Sequence, residues 1–434
     1  MRKTSLALAV AASTLGLSQV AFADLVGDTK VSLEARNFYF NRDFRQGNSE
    51  VPAQPQSKQE EWAQGFILRM NSGFTEGTVG FGADAIGMFG FKLDSGGGTG
   101  GSGLLVPDRS RNDGLGSQDN YSGLAVAAKA KVSNSTLRVG QMQFKNAAIG
   151  SSDSRLLPQV FEAGHVVSQE IDGLMLEAAH VREVNNRNSN DYEDIGITNS
   201  FNSRTGSVGT RGINLRGGST TDSFDFIGGT YKLTKDLSAG YYYSNLDELY
   251  KQHSFNVVHV LPLGDKQSLK TDVRYARSTD DGNRSNIDNK AFGAMVTYGL
   301  DGHAFGLGYQ KMSGDTGFAY INGTDPFLVN YVQIGDFANK DEKSYQARYD
   351  FNFASIGIPG LTFMTRYLTG DNVDRGRGLS EGREWERNTE LMYVFQEGAL
   401  KNLGVRWRNA SVRSNFANDI DENRLIVSYT LPLM

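Results

Sequence analysis

Apolar and polar side chains alternate strictly over residues 344–353. Tyr345, Ala347, Tyr349, Phe351 and Phe353 fall on one face, and Ser344, Gln346, Arg348, Asp350 and Asn352 on the other. The last segment repeats the pattern, with Leu425, Val427, Tyr429, Leu431 and Leu433 opposite Arg424, Ile426, Ser428 and Thr430. Leu124, Val126, Ala128, Ala130 and Val132 oppose Lys129 and Lys131. Leu391, Tyr393 and Phe395 oppose Glu390, Met392 and Gln396, and Val31, Leu33 and Ala35 oppose Ser32, Glu34 and Arg36. Each stretch predicts a β-strand with one apolar and one wet face. Polar, Gly-rich connections are predicted over 46–60, 95–103, 185–207, 278–289 and 370–382, and short ones over 300–303 and 398–402. Strands of about 10 residues, followed in turn by a short turn and a long loop, recur every ~20–25 residues and give roughly 16 to 18 strands.

Alternation alone fits a soluble sandwich or a membrane barrel, since the apolar face is inside in the first and outside in the second. Residues 24–434 contain no linker or shift of composition, although one soluble core of that length would split into domains. The pattern therefore predicts a single all-β domain over 24–434, a transmembrane antiparallel β-barrel of an even strand number. A barrel of this size encloses water. Composition agrees: 51 Gly and 18 Tyr among 434 residues suit turns and aromatic belts, and beyond the first ~20 residues no apolar run reaches the length of a spanning helix. The chain has no Cys, which excludes disulfides, thiolate zinc sites and iron–sulfur ligation. Its net charge of −5 and scattered Lys and Arg give no support to a nucleic-acid partner.

Residues 1–23 read as a secretory signal peptide. Arg2 and Lys3 form a positive start, 6–17 are apolar and small, and Ala21-Phe-Ala23 is a small-x-small cleavage site before Asp24. The expected destination is the outer membrane of a Gram-negative cell.

In a barrel lumen the ionised residues carry the information, because a Lys or Arg on the lipid face costs about 2–4 kcal/mol at mid-membrane. Alternation turns Arg36, Arg348, Arg406, Arg408 and Arg424 inward, with Val405 and Trp407 outward. Closure joins the first and last strands, so Arg36 and Arg424 are expected close together on one basic wall. A series of guanidiniums can pass a carboxylate from one two-pronged hydrogen-bonded contact to the next. The same arginines could equally pair with lumenal acids such as Glu34 and Asp350 and stiffen the wall. Other motifs are weak. The Gly run 95–101 lacks a phosphate-loop ending and reads as a flexible surface loop. The five histidines (165, 180, 253, 259 and 303) show no metal-ligand spacing and are expected at the interface or in loops, and no nucleophile elbow is present. No cofactor, metal or catalytic group is expected.

Four segments, in order along the chain, resemble the OprD family of outer-membrane porins: Glu61-Trp-Ala-Gln-Gly-Phe, Asp84-Ala-Ile-Gly-Met-Phe-Gly-Phe-Lys-Leu-Asp-Ser-Gly, Ser154-Arg-Leu-Leu-Pro-Gln-Val-Phe and Glu384-Trp-Glu-Arg. The resemblance implies an 18-stranded barrel narrowed by inward-folded loops, acting as a monomer or loose trimer in outer-membrane lipid. It further implies selective uptake of small carboxylate-bearing nutrients. Residues 382–388, the Asn37-Phe-Tyr-Phe-Asn-Arg-Asp-Phe start and Val405-Arg406 with Arg424 lean to the branch for small, often aromatic, carboxylates. Carried over residue by residue, the family's arginine ladder comprises Arg36, Arg42, Arg155, Arg187, Arg406 and Arg424, with Arg155 at the eyelet in the constricting third loop. Two departures stand out. Asn322-Gly-Thr-Asp-Pro replaces a further arginine in the other constricting loop, and the chain ends Leu431-Pro-Leu-Met434, without the terminal aromatic such barrels usually carry. Uptake of basic amino acids or peptides, and from another class a barrel enzyme or an adhesin, remain open at this point.

Overall fold

The computed structural model describes residues 25–45, 56–108, 110, 115–198 and 209–434; the expected signal peptide and most of the first loop lie outside them. Among the described residues, 18 long strands form one closed antiparallel sheet. They are β1 (Lys30–Phe44), β2 (Lys58–Asn71), β3 (Gly80–Asp94), β4 (Asn120–Val132), β5 (Ser135–Met142), β6 (Val160–Ser168), β7 (Leu174–Asn185), β8 (Phe224–Lys232) and β9 (Leu237–Leu246). The second half comprises β10 (Tyr250–Gly264), β11 (Gln267–Asp280), β12 (Asp288–Leu300), β13 (His303–Ser313), β14 (Lys343–Asn352), β15 (Leu361–Val373), β16 (Gly382–Val394), β17 (Leu403–Ser414) and β18 (Ile420–Pro432). Strand β1 pairs with β18 from Ser32 opposite Pro432 to Phe44 opposite Ile420, which leaves no open edge. Closure is what a bilayer demands, since hydrocarbon offers no partner to an unpaired backbone group.

The alternating faces point as predicted. On β4 Leu124 is 64% exposed while Ala125 is fully buried, and on β13 Leu307 is 71% exposed beside buried Gly306. Apolar side chains exposed in this way meet lipid. A belt of aromatic rings crosses neighbouring strands near the long-loop end, with centroids 4.8 Å apart for Tyr241 and Phe255, 6.4 Å for Phe292 and Tyr309, and 5.3 Å for Tyr309 and Tyr345. A second belt at the short-turn end includes His303, Phe305, Tyr349 and Phe351. Two such belts mark the two membrane–water interfaces.

The turn joining β12 to β13 is the short connection expected at 300–303. Leu300 pairs with His303, and Asp301 and Gly302 take φ of 42° and 88° between them. That Asp-Gly pair supplies the positive φ at both central positions of a type I′ hairpin turn, which few other pairs adopt without strain. Two connections are shorter than the sequence suggested: β11 and β12 extend to Asp280 and from Asp288, and β15 and β16 extend to Val373 and from Gly382. Polar residues in those stretches belong to strand ends above the membrane, where a wet outer face costs nothing. Phe353 leaves its strand and opens a 3-10 turn, Phe353–Ile356, capped by the Asn352 side chain.

Among the described residues, three of the long connections fold into the bore: 143–159 (after β5), 186–198 with 209–223 (after β7) and 314–342 (after β13). Segment 314–342, the crossing loop, spans from β13 past β14 and β15 to β16, where the Ile334 and Gly335 amides donate to Glu386 at 3.1 and 2.7 Å. It meets 143–159 through the Asp325 amide and the Gly150 carbonyl, 2.9 Å apart. Leu156 of 143–159 seats in a notch left by two glycines; a Cβ on Gly90 would lie 2.9 Å from it, and one on Gly65 3.0 Å. The Gly run 95–101 is also packed rather than free. Thr99 is buried, its hydroxyl donates to the Glu60 carbonyl at 3.0 Å, and Gln56 holds the carbonyls of Gly98 and Gly100. His165 corrects the expectation for histidines: it lies within β6, buried and facing inward, 2.9 Å from Glu177, whose other oxygen accepts from Tyr242 at 2.7 Å. Its ring sits among Phe144 and Phe226 as a satisfied strut of the wall.

Candidate functional site

On β1 the inward face reads Arg36, Phe38, Phe40, Arg42, Phe44. Pairing with β18 sets Phe40 opposite Arg424 and Arg42 opposite Glu422. Glu422 accepts from Arg42 at 2.8 and 2.5 Å and from Arg424 at 2.6 Å, so one buried carboxylate serves two guanidiniums. Arg424 also donates to the Gln333 carbonyl of the crossing loop at 3.2 Å. Arg36 lies opposite Ser428, four residues further along β18, so it is Arg42 and not Arg36 that neighbours Arg424. Arg36 is fully engaged, with Asp153 at 2.7 Å, Glu34 at 2.8 Å and the Arg155 carbonyl at 2.8 Å. It anchors the inward loop to the wall.

Loop 143–159 then delivers Arg155. Its Nε donates to the Ser102 carbonyl at 3.1 Å and one terminal nitrogen to the Ser154 carbonyl at 3.0 Å. Arg187, from the next inward loop, donates to the hydroxyls of Ser152 at 2.9 Å and Ser154 at 2.8 Å. Among the described residues, neither Arg155 nor Arg187 has a carboxylate within ion-pair distance. Burial, together with the charges of Arg424 and Arg187, pulls the Arg155 pKa well below the ordinary arginine value; burial pulls Arg187 in the same direction. A guanidinium is too basic to give up its proton there, so the shift measures an uncompensated positive charge. On the crossing loop Tyr331 donates to Asp325 at 2.9 Å and so engages the acid nearest Arg187.

A second group lines the bore toward the short turns. Arg348 is held by both oxygens of Asp350 at 2.7 Å, and Arg406 and Arg408 share Glu390 at 3.6 and 3.0 Å. Arg366, which the sequence did not reveal, pairs with Arg348 across β14 and β15 and, among the described residues, makes one side-chain hydrogen bond, to the Asn388 amide oxygen at 2.7 Å. Its strand places Met364 and Leu368 on the same inward face, so the contrast of wet and apolar sides that exposed the other rungs is lost there. The rung expected to be missing at 322–326 is indeed not basic, and the Asn322 carbonyl instead accepts from Gln159, joining the two constricting loops at 3.3 Å. The eight expected arginines and Arg366 together have five carboxylates within ion-pair distance: Glu34, Asp153, Asp350, Glu390 and Glu422. Along this stripe guanidiniums therefore outnumber the carboxylates paired with them, in a chain that is net negative.

Acids do occur on the wall beside the crossing loop, and each is committed to holding that loop. Glu386 accepts its backbone amides, Glu342 and Glu384 share the Asn339 side chain at 2.8 and 3.0 Å, and Asp336 is bound by Arg211 and Tyr320.

A closed 18-stranded barrel, apolar outside, charged within and narrowed by loops that meet in its bore, defines a transmembrane channel of the outer-membrane porin class. Residues 23–433 match the family described as outer membrane porin, OprD family, and the chain belongs to it. It is 37% identical over 473 residues to Porin D of Pseudomonas aeruginosa, spanning 100% of this chain and 99% of that one. Among solved structures it is similar to OpdQ of Pseudomonas aeruginosa, with 58% identity, 95% of this chain and 100% of that one covered, and a TM-score of 0.84. A BenF-like porin from Pseudomonas fluorescens Pf-5 superposes with a TM-score of 0.86 at 37% identity, covering 94% of this chain and 100% of that one. The protein is thus a substrate-specific porin of the Gram-negative outer membrane, and its relatives are channels, not enzymes.

Proposed function

We propose that this porin conducts small carboxylates, aromatic ones included, by passive diffusion along a ladder formed by Arg36, Arg42, Arg155, Arg187, Arg348, Arg406, Arg408 and Arg424, with Arg366 as a ninth rung. The observation that carries the reading is the lack of an acidic partner for Arg155 and Arg187 at the point where the loops converge. Each of these guanidiniums keeps N–H groups available, and a carboxylate at contact distance gains up to about 4 kcal/mol at an effective dielectric near 20, before desolvation is subtracted. Arg36 and Arg348, held by their own acids, contribute field and rigidity more than contact. Several moderate seats in series allow an anion both to enter and to leave. The reading for basic amino acids is supported less well, because the acids beside the crossing loop are engaged by loop amides and side chains. In the same proposal residues 1–23 direct export and 24–434 form the barrel; N-terminal sequencing of protein from outer membranes should begin at Asp24. Single-channel recording in a planar bilayer tests the substrate class. Benzoate is expected to block current transiently while arginine and glucose do not, and block by arginine alone would overturn the proposal.

A further inference from the structure

We propose that Phe40 is a positioning residue of the constriction, holding three converging guanidiniums by its ring while leaving their charge available to a passing anion. The inference rests on the carboxylate reading above and goes further, to what keeps that charge in place. Phe40 is fully buried on the inward face of β1. The guanidinium carbons of Arg42, Arg155 and Arg424 lie 5.4, 5.3 and 5.5 Å from its ring centre. These arginines come from three different elements: the same strand, the inward loop 143–159 and the paired strand β18. Like charges brought together out of bulk water repel, and Glu422 is the only carboxylate among the described residues within ion-pair distance of any of the three. The nearby Glu61 accepts from the backbone amide and hydroxyl of Ser102 and from the hydroxyl of Ser117.

Some further attraction must offset the crowding, and the ring supplies it. The negative face of an aromatic quadrupole attracts a cation by about 0.5–2 kcal/mol, yet the ring has no net charge. A second carboxylate at this place would fix the guanidiniums equally well and cancel the field that a substrate is meant to meet. Phe40 also packs with Phe38, Leu104 and Leu156, so a mere space-filling role is the alternative to exclude.

The test uses the full-length barrel in planar bilayers, with Phe40→Leu, Phe40→Tyr, and replacement of Phe40 by mono-, di- and trifluorinated phenylalanine. Benzoate block and the reversal potential in a KCl gradient are read for each. Removing the π-face in Phe40→Leu is expected to weaken benzoate block about fivefold and to move the reversal potential toward that of an unselective pore. Phe40→Tyr should behave as the native chain, and successive fluorines, which drain the ring face with little change of shape, should produce a graded loss. Native block and reversal potential that stay unchanged across the fluorinated series overturn the inference, even if Phe40→Leu fails to fold. A native channel that benzoate does not block refutes the carboxylate reading alone; Phe40 is then judged by the reversal potential, which needs no carboxylate.

Discussion

Arg36 on β1 and Arg155 in the loop that Arg36 anchors differ in what surrounds them. Arg36 is clasped by Glu34 and Asp153 and by loop carbonyls, whereas Arg155 rests on carbonyl oxygens and an aromatic face. Truncation should therefore have opposite consequences. Arg36→Ala leaves Glu34 unpaired and Asp153 with only Arg69 at 3.8 Å, and it frees one end of the loop, so it should cost about 2 kcal/mol of stability, discounted for the half-exposed Asp153, and raise protease cleavage within 143–159. Arg155→Ala should leave the urea unfolding midpoint near native, weaken benzoate block about tenfold and shift the reversal potential away from anions. Equal unfolding midpoints for the two variants would refute this division of roles. The sequence made the residue types and their inward direction legible, because alternation fixes which way Arg36, Arg406 and Arg424 point. It did not make partners legible. Whether an inward arginine is neutralised depends on which loop acid reaches it, as with Asp153, and that is set by a fold over more than a hundred residues of chain.

At the scale of elements, the crossing loop 314–342 depends on a buried latch at its end. The Glu342 carboxylate accepts from the Asn339 amide at 3.0 Å and from its side chain, and that side chain also donates to Glu384, so the two carboxylates share one partner. The cations in this region are already paired, Arg211 with Asp336 and Lys340 with Asp374. Burial raises the Glu342 pKa from 4.5 to about 7. Between those values the docked loop holds a proton that the released loop gives up, so protonation favours docking. The docking energy should fall as pH rises from 4.5 to 7 and stay at its minimum above that. Current flicker from loop motion is expected to be greater at pH 8 than at pH 5, and the double variant Glu342→Gln with Glu384→Gln should remove the difference. Equal pH dependence in the variant would reject the latch. The other inward loop depends on the glycine notch: Gly90→Ala places a Cβ 2.5 Å from the Tyr121 ring and 2.9 Å from Leu156, so it should displace 143–159, raise single-channel conductance and lower selectivity, read as weaker benzoate block. Strands were legible from period-two alternation and the Asp-Gly turn. Loop paths were not, since a loop that enters the bore is held by glycine notches and by amides on strand carboxylates such as Glu386, neither of which leaves a periodic trace.

For the whole molecule, two ranges of electrostatic force act in the same bore and salt separates them. The excess of guanidiniums over their paired carboxylates along the ladder gives that stripe a diffuse positive potential, which reaches into the lumen. The Debye length is about 10 Å at 0.1 M ionic strength and about 3 Å at 1 M. A general preference for chloride over potassium, which needs no seat, should accordingly decline toward unity over that range. A carboxylate lodged against Arg155 and Arg187 is separated from them by a contact distance, within even the shorter screening length, and its affinity should fall much less. Reversal potentials in KCl gradients and benzoate block measured on the same channels at the two salt concentrations give both quantities. If block fades in parallel with ion preference, the constriction holds no carboxylate seat and acts only through its field. If block persists while preference fades, selection occurs by direct hydrogen bonding at the loops, and the outward parts of the ladder serve to raise the local concentration of anions at that point.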